Sequence, residues 1–377
     1  MKTSALILTI ALAAGLAGSV SASAAPEPER PIDLVICLDT SNSMDGLINA
    51  AKQKLWDIVN ELAKAKPKPH LRVGLYAYGT PAFGQETGYV RRQIDLSDDL
   101  DAVYGKLAAL TTNGGDEYVA RVVRTSMLEQ PWSTEKDALK IIVVAGNEPA
   151  TQDPMYKTAD VCKDAITHGI VVNAIYCGSP THSEAESWRD VARAADGQFA
   201  SIDQDRGTVV VSTPFDQKLA ALGGEINHTY VAYGARGAVG REMQMAADSS
   251  AAAASPASFA SRAVAKAGGQ YRNSSWDLVD SMGQKDFDLA KVKTEDLPAE
   301  MQTMTPDQRR AHLDNMAKKR ADVQQQINDL NVQRQKFIAG EIMKSGKSGD
   351  KAFDTAMLRA IREQATRKNF EFAQEAK

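Results

Sequence analysis

The sequence predicts an α/β protein: a doubly wound, mostly parallel sheet with one antiparallel strand, followed by an α-helical C-terminal extension. Three observations carry this. From Ile32 onward, short apolar runs alternate with stretches of helical period through short connections, the pattern of a parallel sheet covered by helices on both faces. The first run, Ile32 to Leu38, is apolar almost throughout, as a central strand buried on both sides should be. Beyond Tyr230 the alternation stops, and an Ala/Ser-rich stretch and then a long polar stretch of helical character take over.

The elements follow in order. Lys2 gives a short basic start, Ala5 to Leu16 is an apolar stretch too short to span a bilayer comfortably, and Ala22-Ser23-Ala24 fits the small-x-small rule of a signal peptidase. Pro26-Glu27-Pro28-Glu29-Arg30 then ends any helix. Residues 1–24 are therefore read as a signal peptide cleaved after Ala24 or Ala25, which makes the mature chain periplasmic or secreted. No later segment is apolar enough to cross a membrane, so the mature chain is not expected to span one.

The spacing predicts a helix over 46–65, with Leu47, Ala50, Leu55, Ile58, Val59 and Leu62 on one side. His70 to Tyr78 and Tyr89 to Leu96 read as two strands paired as a hairpin around Thr80-Pro81-Ala82-Phe83-Gly84. Helices are expected at Asp98 to Leu110 and Glu117 to Leu128, then a fourth apolar strand at Leu139 to Val144. The alternation continues with a helix at Met155 to Thr167, a strand at Ile170 to Tyr176, a helix at Ser183 to Ala195 and a short strand at Gln198 to Ile202. A helix from Phe215 to Asn227 closes this first domain, placed at residues 30–230.

Residues 231–300 read as a linker and partly helical segment: Ala246 to Ala260 holds no Leu, Ile or Val and suits a linker or a weakly packed helix. Residues 301–377 read as a long helical, coiled-coil-like extension, because Met316, Val323, Leu330 and Phe337 recur every seven residues with Ile327 on the same side. That stripe either packs back onto the chain's own surface or pairs with a second chain as a homo-oligomer. Arg320 and Arg334 at the intervening positions count against a tight dimer.

A net charge of -4, well mixed along the chain, gives no reason to expect a nucleic-acid partner. The three cysteines are too few for a disulfide scaffold. Cys37 lies in the first strand as a small buried hydrophobe, whereas Cys162 and Cys177 are candidates for one disulfide, being on a helix and on the strand it should pack against.

The most specific local feature is Asp39-Thr40-Ser41-Asn42-Ser43, between a buried strand and a helix. Ligands of open parallel sheets gather at the carboxyl ends of strands, and one carboxylate with two hydroxyls on alternate residues offers a hard cation part of an oxygen shell. The competing reading is that Asp39 and Ser43 merely cap the helix that follows. A second segment, Thr111-Thr112-Asn113-Gly114-Gly115-Asp116-Glu117, should reach the same edge of the sheet.

With these residues the chain resembles a von Willebrand factor type A domain over about residues 30 to 230, and the pentapeptide resembles that family's metal-ion-dependent adhesion site. The resemblance implies a metal, Mg²⁺ or else Mn²⁺ or Ca²⁺, held by Asp39, Ser41 and Ser43, with Thr112 as the second-loop threonine and Thr111 as reserve. The third loop departs from the family pattern: Thr-Asp-Gly is here Val144-Ala145-Gly146, followed by Asn147-Glu148-Pro149. Ala145 cannot bind metal, which leaves Asp116 and Glu148 as candidates to replace the missing acid.

The function implied is an exported, non-enzymatic adhesion or adaptor module whose metal accepts a carboxylate from an unidentified protein ligand. The alternative is a structural or regulatory protein with a vestigial metal site, whose helical extension mediates binding. Aspartyl-phosphate chemistry is disfavoured because no acid stands two residues after Asp39 and no lysine follows the fourth strand. Neither a Gly-x-Ser-x-Gly elbow nor a His-Glu-x-x-His pair occurs, and Gly346-Lys347-Ser348 lacks the preceding strand of a phosphate loop.

Overall fold

The computed structural model describes residues 29–202, 211–345 and 354–372. The expected signal peptide and Gly346-Lys347-Ser348 lie outside the described residues.

The first domain is built from β1 (Arg30–Asp39), α1 (Ile48–Leu62), β2 (Pro69–Tyr78), β3 (Val90–Ser97), α2 (Leu100–Ala109), α3 (Val119–Glu129), β4 (Leu139–Gly146), α4 (Thr158–Thr167), β5 (Ile170–Tyr176), α5 (Glu184–Ala194), β6 (Phe199–Ser201) and α6 (Asp216–Asn227). The strands form one six-stranded sheet in the order β3-β2-β1-β4-β5-β6. All neighbours are parallel except β2 and β3, the antiparallel hairpin expected from the sequence.

Strand alternation sends side chains into two separate cores. Leu34, Ile36 and Leu38 of β1, with Ile141, Val143 and Ala145 of β4, pack toward α1 and α6. Val35, Cys37, Ile142 and Val144 pack on the opposite face, toward α3, α4 and α5. The connection after β1 therefore crosses one face and the connection after β4 the other. Such a reversal opens a crevice at the carboxyl ends of β1 and β4.

That parity also decides the cysteines. Cys177 follows Ile175 into the first core, whereas Cys162 of α4 belongs to the second, so the sheet lies between them. The expected Cys162–Cys177 disulfide is not formed. All three cysteines are buried free thiols, and burial pushes the Cys37 and Cys162 thiols up to about 12.

The chain beyond the sheet is helical: α7 (Gly234–Ala254), α8 (Pro256–Ala267), the short α9 (Leu278–Ser281) and α10 (Ala299–Gln302), α11 (Pro306–Ser345) and α12 (Arg359–Thr366). The Ala/Ser-rich stretch forms the end of α7 and the start of α8, with Ala247, Ala251, Ala257 and Ala260 buried. Small side chains let these helices approach closely, and long polar ones fill the remaining space. Arg262 Nε donates to Asp248 at 3.0 Å and its guanidinium also binds Asp101 of α2, while Lys266 Nζ reaches Asp248 at 2.5 Å and Gly223 O of α6 at 2.7 Å.

The seven-residue stripe of α11 faces the chain itself. Val323 and Ile327 enter the first core, and Phe337 meets Phe215 edge-on at 6.2 Å. Arg320 binds Asp277 and Asp280, each at 2.8 Å, and lies 4.0 Å over the Tyr230 ring. Arg334 binds Asp216 at 2.7 Å. Among the described residues no helix is long and apolar enough to cross a membrane.

Candidate metal centre at the carboxyl edge of the sheet

β1 ends at Asp39, and the chain turns through a short 3-10 segment, Asn42–Met44, before α1. Asp39 is buried at this turn. Its Oδ1 accepts from the Ser41 amide at 2.8 Å, whereas its Oδ2 has no hydrogen-bond partner. Burial, reinforced by the nearby Glu117 and Glu148 carboxylates, pushes the Asp39 carboxyl up to about 7 despite hydrogen bonds from Ser41. The Ser41 and Ser43 hydroxyls are 2.8 Å apart. Neither Asp39 nor Ser43 accepts a side-chain capping bond at α1, whose N-cap is Leu47.

Loops from the neighbouring strands close around the turn. Thr40 bonds to Tyr78 O through both its amide, at 2.8 Å, and its hydroxyl, at 2.9 Å. The Asn113 amide donates to Thr40 O at 2.8 Å, which fixes the second segment beside the first. Asn147 exchanges two bonds with Ser43: the Ser43 hydroxyl donates to Oδ1 at 2.9 Å, and Nδ2 donates to Ser43 O at 2.8 Å.

Gly79 and Gly146 give the site room. A Cβ on Gly79, where φ is +83°, would lie 2.7 Å from Asp39 Oδ1, and one on Gly146 would lie 3.0 Å from Asp39 Oδ2.

The residues singled out from the sequence are brought together unequally. Asp39, Ser41 and Ser43 form one group. Thr112 donates its hydroxyl to Asp45 of the same first loop, and Thr111 is exposed. Asp116 is exposed and accepts from Tyr118 at 3.2 Å, while Glu148 is half-buried with its backbone carbonyl held by Trp188 at 2.8 Å. Ala145 points into the first core, and its carbonyl accepts from Tyr78 at 3.0 Å.

Two residues that the sequence reading passed over stand closer. Asn147 is one. Glu117 is the other: it is buried, its Cγ would lie 3.2 Å from a Cβ on Gly79, where Asp39 and Ser41 also come close, and burial raises its carboxyl. The signal for Asn147 was its place just after the glycine that ends β4. Glu117 was hidden because the helix was expected to begin there, whereas α3 begins at Val119.

Chemically the cluster is an all-oxygen donor set, with hydroxyls, an amide oxygen and a buried carboxylate that has an unpartnered oxygen. It fits a hard divalent cation. Among the described residues no group of three or more His, Cys, Asp or Glu side chains is placed to hold a metal, so a cation here has to draw on the serine hydroxyls.

Residues 33–211 match the family model of the von Willebrand factor type A domain. Among curated proteins no sequence relative is matched. Among solved structures, the chain is similar to proximal thread matrix protein 1 from the mussel byssus, in a structure with a zinc-occupied MIDAS motif, at 14% identity and a TM-score of 0.36. The match covers 47% of this chain and 43% of that protein, so this chain spans less than half of its length. A conserved hypothetical protein, BatB from Bacteroides thetaiotaomicron, matches at 15% identity and a TM-score of 0.36, over 46% of this chain and 90% of that one. A von Willebrand factor type A protein from Catenulispora acidiphila matches at 16% identity and a TM-score of 0.35, over 59% of this chain and 43% of that one. Domains of this family are typically non-catalytic adhesion or adaptor modules. Residues 33–211 of the chain thus form a von Willebrand factor type A-fold domain.

Proposed function

We propose that this chain is an exported protein-binding module in which a divalent cation, Mg²⁺ or a substitute such as Mn²⁺ or Ca²⁺, sits at Asp39, Ser41 and Ser43 and engages a carboxylate of a partner protein. The observation that carries the reading is Asp39: a buried carboxylate with one oxygen unpartnered, at the carboxyl end of a central strand, beside two hydroxyls 2.8 Å apart. A buried anion without a counter-charge is costly, and a bound cation offsets that cost. The cation would present an electropositive point to an acidic side chain. Thr112 would join through a solvent-bridged or rearranged second loop, since its hydroxyl is engaged by Asp45.

Calorimetric titration of Mg²⁺ and Mn²⁺ into the mature chain tests this directly. Binding is expected in the wild type and lost in Asp39→Ala. Absence of binding in the wild type would overturn the metal reading and favour the alternative, a vestigial site with binding through the helical extension, which Ala145 in place of the family's acid supports. Export is tested by sequencing the N-terminus of the mature protein, which should begin at Ala25 or Pro26. The absence of a basic surface run in the sequence supports a protein rather than a nucleic-acid ligand. Self-association through the C-terminal helices would have to use the outer face of α11, where Val332 is exposed, because the inner stripe is already packed.

A further inference from the structure

We infer that Glu117 is the second carboxylate of this metal centre, supplying the negative charge that Ala145 cannot; the inference rests on the metal reading above. Three residues from two stretches of chain meet over Gly79: a Cβ there would lie 2.7 Å from Asp39 Oδ1, 3.2 Å from Glu117 Cγ and 3.3 Å from Ser41 Cβ. Asp39 Oδ1 accepts from the Ser41 amide at 2.8 Å, which holds the turn carrying Ser41 against the carboxylate beside Glu117. Glu148 and Asp116, which raise the Glu117 carboxyl, are themselves acids. Two buried carboxylates side by side repel each other unless a cation lies between or beside them. Asp39 Oδ2, buried and unpartnered, is a further donor free for such an ion.

The alternatives raised by the sequence are less well placed. Asp116 is exposed and engaged by Tyr118. Glu148 is only half-buried, whereas Glu117 is buried. With Asp39 and Glu117 both ionised, two negative charges balance the two positive charges of the cation, so the site can hold metal before any partner arrives.

The test is titration of Mn²⁺ into the mature chain, followed by calorimetry and by the electron paramagnetic resonance signal of free Mn²⁺, for wild type, Asp39→Ala, Glu117→Gln, Asp116→Asn and Glu148→Gln. Glu117→Gln is expected to weaken binding by about 10- to 100-fold, with Asp116→Asn and Glu148→Gln within about threefold of wild type. Thermal unfolding of the metal-free variants checks folding; removing one of several adjacent acids should leave Glu117→Gln at least as stable as wild type. Asn147→Asp added to Glu117→Gln places a carboxylate where Asn147 Oδ1 now lies 2.9 Å from the Ser43 hydroxyl, and it should recover about tenfold or more of the lost affinity. Wild-type affinity in Glu117→Gln, or a loss that Asn147→Asp does not recover, would overturn the assignment of Glu117 while leaving the metal centre standing. Wild type without binding, or binding retained in Asp39→Ala, would overturn both.

Discussion

Asp39 has one carboxylate oxygen bonded to the Ser41 amide and a second with no partner, in a buried position flanked by other acids. In metal-free protein that arrangement is destabilising, because the charge is desolvated without compensation. Asp39→Asn keeps an oxygen for the Ser41 amide and removes the charge. Urea unfolding in EDTA at pH 8 should therefore show the variant more stable by about 1–3 kcal/mol. An equal or lower stability would mean that the hydrogen bonds to the carboxylate outweigh its burial. The core of this site was legible in the sequence because Asp39, Ser41 and Ser43 occupy alternate residues of one turn, so their proximity is a local fact. Glu117 and Asn147 stand 78 and 108 residues from Asp39 in the numbering, and only the closure of three loops on one sheet edge unites them. The cysteines teach the same lesson in reverse. A helix packing near a strand does not bring Cys162 to Cys177, because alternation along β5 turns Cys177 to the other face.

Helix α11 shows what periodicity reveals about an element and what it leaves open. The seven-residue stripe identifies the face that is buried, but not the surface that receives it. Arg320 and Arg334 break the stripe for a coiled coil, yet they complete it for this chain, where Asp277 and Asp216 are buried acids waiting for a cation. Arg320→Ala leaves Asp277 unpaired in a buried position and should cost about 3 kcal/mol or more in urea unfolding. The Ala/Ser-rich segment was legible as helix or linker but not as part of the packing, since its binding elements are Arg262 and Lys266 rather than an apolar stripe. Burial is the leading cause that lowers Lys266 from 10.5 to about 8, against the attraction of Asp248. Between those two values the unfolded chain binds more protons than the folded one, so the wild type gains stability as pH rises. Relative to Lys266→Met, the gain between pH 8 and pH 10.5 should approach about 3 kcal/mol. A pH-independent difference between the two proteins would show that Lys266 keeps an ordinary affinity for its proton.

At the scale of the whole molecule, alternating strands and helices were enough to predict the sheet and its hairpin, because each element announces itself within about ten residues. The docking of the C-terminal segment was not legible, since its apolar residues are few and their partners lie some three hundred residues earlier. Met357, Ile361, Ala365 and Phe370 are fully buried in the first core, alongside residues of β1 and α1. Arg362 binds Glu61 of α1 at 2.5 Å, and Gln364 exchanges two amide hydrogen bonds with the buried Asn173 of β5, at 2.8 and 3.0 Å. Glu371 pairs with Lys66 through backbone hydrogen bonds of 2.6 and 2.8 Å. The segment thus completes the sheet domain from outside the stretch that matches the family. Deleting residues 354–377 removes three large buried side chains and leaves the Asn173 side-chain NH2 without its partner, while Asn173 Oδ1 keeps the Gln198 amide. The loss should reach about 5 kcal/mol or more, from about 1.5–3 kcal/mol for each large side chain together with the orphaned amide. The truncated chain is expected to unfold at markedly lower urea concentration and to bind a dye for exposed apolar surface. Unchanged unfolding would mean that the sheet, α1 and α6 form a core that closes without the C-terminal segment.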